Sequence, residues 1–171
     1  AMGQLPEAEL SPEGIIQAKI LAHFLSANKI EHIISSPFLR TIQSIEPLAR
    51  SLDLEIEIDE RLIERILGDT SPNNWLPCLY DTFTNFDLAF PDGESSRAAQ
   101  MRAISVLQDI LDINLQTIAL VSHGNLITLL LNHFNKTIGF SIWEQMTNPD
   151  VFRVHLSENE ATIEHIWKPG S

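Results

Sequence analysis

Two short stretches, "IISSPFLR" from Ile33 to Arg40 and "ALVSHGN" from Ala119 to Asn125, run from apolar residues through serine into a helical pattern. In the first, Arg40 falls in the opening turn of the helix; in the second, His123 stands just before it, followed by Gly124. In open α/β sheets a ligand lies beyond the carboxyl ends of the strands, where helix N-termini direct unpaired N–H groups. A guanidinium grips phosphate or carboxylate oxygens in a bidentate way, so Arg40 and His123 converging there would make an oxyanion site. Arg40 alone reads equally as a solvated helix charge, and His123 alone as a satisfied structural histidine. The pairing is what points to an anion.

A proton donor needs a different setting. Glu60, Glu64 and Asp69 crowd one stretch, and a carboxylate acts as an acid at neutral pH only when burial or a neighbouring charge holds its proton. Otherwise the stretch is a solvated acidic face. Glu94 and Ser95 in "DGESS" suit a substrate contact or the cap of the next helix equally well. His23, His32, His133, His155 and His165 lie within predicted helices or strands, and their spacing fits no metal-ligand pattern. No nucleotide-binding glycine loop appears either, so neither metal nor cofactor is expected. Ser122 as a hydrolase nucleophile would require Gly-x-Ser-x-Gly, but Leu120 occupies the first glycine position.

The elements that must position these residues follow from periodicity. Ser11 and Pro12 open a helix to about Ala27, with Ile15, Ala18, Leu21 and Leu25 on one face. A buried strand is expected from Ile30 to Ser35. Ser35 or Ser36 and then Pro37 start a second helix, striped by Phe38, Ile42, Ile45 and Leu48 and liable to kink or end at Pro47. Leu54 to Ile58 alternates as a strand, and Gly68 to Asp92 reads as a long excursion with short helical pieces, suited to shaping specificity. A helix follows with Ala98, Met101, Ile104, Leu107 and Leu111 on its face. "QTIALVS" is apolar on both faces, as in the middle of a helix-covered parallel sheet, and "NLITLLLNHF" is a buried helix. "VFRVHL" and "ATIEHIW" make two closing strands around "SENE". Strands alternating with helices predict an α/β three-layer sandwich with a mostly parallel sheet.

Composition agrees with one such unit. The 171 residues are 44% hydrophobic, enough for a single domain with a sizeable core. A formal charge of −12 argues against nucleic acid or an anionic membrane surface as partner. No apolar run approaches a membrane span and no secretory leader is recognisable, so a soluble cytoplasmic protein is expected. The lone Cys78 rules out an internal disulfide and fits a reducing compartment. "AM" at the start reads as a vector remnant before an initiator methionine.

Taken in order, the motifs resemble those of the histidine phosphatase superfamily, also called phosphoglycerate mutase-like, over nearly the whole chain. "LSPEGIIQA" (Leu10 to Ala18) is similar to its first helix and "SSPFLRTIQS" (Ser35 to Ser44) to its second anion-binding segment. "RLIERILGD" (Arg61 to Asp69) resembles its acid-bearing segment, and "PDGES", "VSHGN" and the closing "TNPDVFRV" resemble later motifs. The resemblance implies a phosphoryl-transfer site in which Arg40 binds phosphate, His123 stabilises the transferring group and Glu64 supplies the leaving-group proton. Positive donors suit the charge spread over a transferring phosphoryl group. The partner would be a small phosphorylated molecule or phosphate, and the activity phosphomonoester hydrolysis rather than mutase chemistry, given the short chain.

One departure stands against this. The family opens with a central strand ending in Arg-His-Gly, whose histidine attacks phosphorus; here the chain passes from "AMGQLPEAE" into the first helix, with no histidine before His23. Losing a central strand would expose backbone groups on two neighbours. Three readings follow: a strand and turn of roughly ten residues are missing near Leu5 and Pro6, the chain is a natural remnant, or a second chain supplies the strand in a homodimer. By the phosphohistidine route the sequence as it stands is expected to be inactive. The alternative is a non-catalytic module that binds a phosphorylated ligand through Arg40 and His123.

Overall fold

The computed structural model describes residues 5–114 and 116–168. The reading of Ala1 and Met2 as a vector remnant, and most of "MGQL", lie outside the described residues.

Helix α1 (Pro12–Leu25) starts where Ser11 accepts a hydrogen bond from the Gly14 N–H at 3.1 Å, with Pro12 in the first turn. Its buried face is Ala18, Leu21 and Leu25. Ile15, expected on that face, is 46% exposed. Strand β1 (His32–Ser35) follows, then α2 (Leu39–Leu52) and β2 (Ile56–Ile58). The α2 cap position is Phe38, not Ser35 or Ser36, and its side chain makes no capping bond. Pro47 does not end the helix, which continues to Leu52 and buries Thr41, Ile45, Leu48 and Ala49. Phe38 and Ile42 from the predicted stripe are only partly buried.

The excursion holds a ten-residue helix, α3 (Trp75–Thr84), that buries Cys78, Leu79 and Thr82. Its base is closed where two strands of loop cross: Asp69 N donates to Pro91 O at 2.7 Å and Glu94 N to Ile66 O at 2.8 Å. Gly68, at φ 96°, and Gly93 are required there, because a β-carbon on either would collide with the carbonyl of Pro91 or Leu67. Helix α4 (Ser96–Leu111) is capped by Ser95, whose hydroxyl accepts from Ala98 N at 3.1 Å. Its inner face is Ala99, Ala103, Val106 and Ile110 with Leu107, so the helix is rotated by about one position from the stripe predicted above. Met101 and Leu111 are turned to solvent.

Strand β3 (Ile118–Val121) leads into α5 (Gly124–Phe134), followed by α6 (Phe140–Gln145), β4 (Phe152–Leu156) and β5 (Ala161–His165). The order β2-β1-β3 makes a parallel sheet in register from His32 beside Ile118 to Ser35 beside Val121. Ile33 joins one core with Leu21, Leu25, Ile45, Leu48 and Trp167, while Ile34 joins the other with Leu62, Val106, Leu126 and Leu129. Successive residues of a strand point to opposite faces, so this isoleucine pair alone shows a sheet with helices on both sides. Strands β4 and β5 form a separate antiparallel pair. Among the described residues β3 is therefore paired on one side only, by β1.

Candidate active site

Ser36, Arg40 and His123 meet at the carboxyl ends of β1 and β3, adjacent parallel strands that deliver their chains to one edge of the sheet. An Arg40 Nη2 hydrogen bonds to His123 Nδ1 at 3.2 Å, and His123 Nε2 lies 2.8 Å from Ser36 Oγ. A guanidinium can only donate, so Nδ1 accepts, Nε2 carries the hydrogen and donates to Ser36, and the ring is neutral. Burial, then the charges of Arg40 and Arg102, hold the imidazole down to about pKa 3. Phe38 completes the cradle, with the Arg40 guanidinium 4.9 Å above its ring and the His123 ring edge-on at 4.9 Å. Arg40 also donates to the Leu5 carbonyl at 3.1 Å, tying the segment before α1 to the start of α2.

Glu64 reaches the same place from the loop after the turn at Glu60–Leu62. Its carboxylate accepts from Arg65 N at 2.8 Å, Asn125 N at 3.1 Å and Leu126 N at 3.0 Å, so it caps the first turn of α5. Two of the helix N–H groups expected to face an anion are thus already given to this side chain. Burial raises the Glu64 pKa and outweighs the three N–H donors that favour the charged form. Desolvation lowers the Arg40 pKa, while attraction to Glu64 opposes that shift. Arginine, histidine and carboxyl thus share one small volume.

Glu94 and Ser95 are not joined directly to that volume. Both Glu94 carboxylate oxygens receive Arg102, at 2.6 and 3.2 Å, and one also accepts from Ile66 N at 3.1 Å. Arg102 in turn donates to the carbonyls of Arg61, Ile63 and Glu64 at 2.7, 2.8 and 3.2 Å. This ion pair clips the loop that carries Glu64 onto α4. Arg65, almost wholly buried, ties the same loop to Thr82 and Ser96 at 3.0 and 2.8 Å and to the Glu94 carbonyl at 2.6 Å. Sequence reasoning missed Ser36 as the histidine's partner and both arginines. Ser36 carried a signal, since it lies at the end of the same strand motif as Arg40; Arg65 and Arg102 carried none, because, Glu94 beside Arg102 apart, their partners lie 17 to 41 positions away in the chain.

The remaining histidines serve elsewhere. His32 binds Glu57 at 2.7 Å and His165 binds Asp150 at 2.6 Å. His133 lies in the last turn of α5, at the far end from His123. Among the described residues no group of three histidine, cysteine or acidic side chains is placed to hold a metal, and no helix is long and apolar enough to cross a membrane.

Comparison with known proteins identifies the family and the fold. A Hydrogenobacter thermophilus protein carrying the provisional name phosphoserine phosphatase 2 is 24% identical over 171 residues, covering 95% of this chain and 84% of its own. The fold is similar to a mycobacterial glucosyl-3-phosphoglycerate phosphatase solved with vanadate, at a TM-score of 0.79 and 23% identity, covering 95% of this chain and 88% of that one. It is also similar to YhfR of Bacillus stearothermophilus, at a TM-score of 0.77 and 24% identity, with 94% and 85% covered. The family model for the histidine phosphatase superfamily, branch 1, matches residues 1–168, and the chain belongs to that superfamily.

Proposed function

We propose that the chain carries the phosphate-binding and proton-donating parts of a phosphomonoesterase site. The observation that carries this reading is the contact of Arg40 with a neutral His123, with Glu64 bonded to the backbone N–H groups of Asn125 and Leu126 just beyond it. Arg40 binds two phosphoryl oxygens through its fork, and the Nε2–H of His123 turns from Ser36 to a third. These donors stabilise the charge that spreads over the equatorial oxygens during transfer. Glu64, whose pKa burial raises, is the group that gives a proton to the departing alkoxide. The resemblance assigns the nucleophile to a histidine on a strand that is absent among the described residues; the edge of β3 that no described residue pairs, and that runs directly to His123, is where a parallel strand would add.

Phosphate release from p-nitrophenyl phosphate tests this, together with calorimetric binding of inorganic phosphate. Release that falls at least 100-fold in His123→Ala, the size of effect seen when a transition-state donor is removed, supports an enzyme. Phosphate binding without release supports the non-catalytic module instead. Absence of both would reject the site.

A further inference from the structure

Beside the phosphate site stands a row of aromatic rings that the reaction itself does not use. Gly124 follows His123, and a β-carbon there would come to rest 3.5 Å from the Trp143 ring and 3.7 Å from the Met146 sulfur. From Trp143 the rings continue: Trp75 edge to face at 6.4 Å and Phe140 tilted at 5.4 Å, then Tyr80 edge to face at 5.1 Å from Phe140. These rings come from α3 and α6, so the excursion between Gly68 and Asp92 supplies one half of the row and the segment after α5 the other. They are not core: Trp75 is 45% and Tyr80 50% exposed. Neither segment, 71–86 or 139–147, contains a lysine or arginine, whereas Asp81 and Glu144 lie within them.

We infer that Trp75 and Trp143 form the leaving-group platform of the site, and that its substrate is a monophosphate of a flat, apolar, uncharged alcohol. The inference rests on the phosphate site proposed above and concerns what lies beyond the phosphoryl group. An aromatic or similarly flat group stacks on exposed indole faces with a gain beyond simple burial. A leaving group bearing a second phosphate or a carboxylate would find no lysine or arginine in those segments to pair with it.

Calorimetry with phenylphosphonate and methylphosphonate separates the two readings, because both carry the same anion and only one carries a ring. The expected result is about tenfold tighter binding of phenylphosphonate, the size of one aromatic contact. Trp75→Ala should bring the ratio close to one, and Trp75→Phe should restore most of it; circular dichroism checks that each variant is folded. Equal affinity for the two ligands would overturn the platform while leaving the phosphate site standing, as would a tenfold preference insensitive to Trp75→Ala and also to Trp143→Leu. Failure of both ligands and of inorganic phosphate to bind would overturn the phosphate site and the platform with it.

Discussion

His123 is held neutral by its surroundings, and that has consequences away from any reaction. Its folded pKa of about 3 lies below the ordinary 6.5, so the unfolded chain takes up a proton that the folded chain refuses. The stability this neutral ring permits is fully present above pH 6.5 and drains away as pH falls toward 3, by at most about 1.4 kcal/mol per pH unit. Urea midpoints between pH 4 and 6.5 should fall more steeply for the natural protein than for His123→Gln; parallel curves would mean that the ring is not desolvated. Arg40 gives a second prediction at this scale. Arg40→Ala should weaken inorganic phosphate binding by about 10- to 100-fold, the worth of a charged hydrogen bond. Arg40→Lys should recover little of it, since an ammonium cannot offer the planar fork; full recovery in calorimetry would show that only charge matters.

Between elements, the decisive contact is Arg102 with Glu94, which fastens the Glu64 loop to α4. Glu94→Gln leaves a part-buried guanidinium without its counter-charge, and should cost about 1.5–3 kcal/mol in urea denaturation. Faster amide exchange at Ile66, whose N–H Glu94 accepts, is expected with it; unchanged exchange would show that the clip does not hold the loop. Ser95→Ala removes only the α4 cap and should cost about 1 kcal/mol. The helices themselves were legible from periodicity, because apolar spacing and the Ser11-Pro12 start are local. Their rotation was less so. The α4 face was displaced by about one position because alanines pack closely under α5, and Met101 is no more apolar in pattern than Ala99.

Across the whole molecule, ligand binding and folding are coupled by mass action. Inorganic phosphate or vanadate at a hundredfold excess over its dissociation constant should stabilise the fold by about 2.7 kcal/mol. For a chain of this length that corresponds to a rise of roughly 5–10 °C in Tm by thermal shift, cut by about half or more in Arg40→Ala at the same ligand concentration. No rise in the natural protein would contradict the site. The sequence by itself determined the α/β class, the parallel core strands and the family, because these reside in local periodicity and in motifs read in order. It also singled out Arg40, Glu64 and His123. Only the tertiary structure decided that Arg40 touches His123, that Glu64 caps α5, and that Arg65 and Arg102 anchor the loop between them. It alone brought Trp75 beside Trp143. These pairings join residues tens of positions apart, and a polar or aromatic side chain carries no mark of a distant partner until the sheet sets their separation.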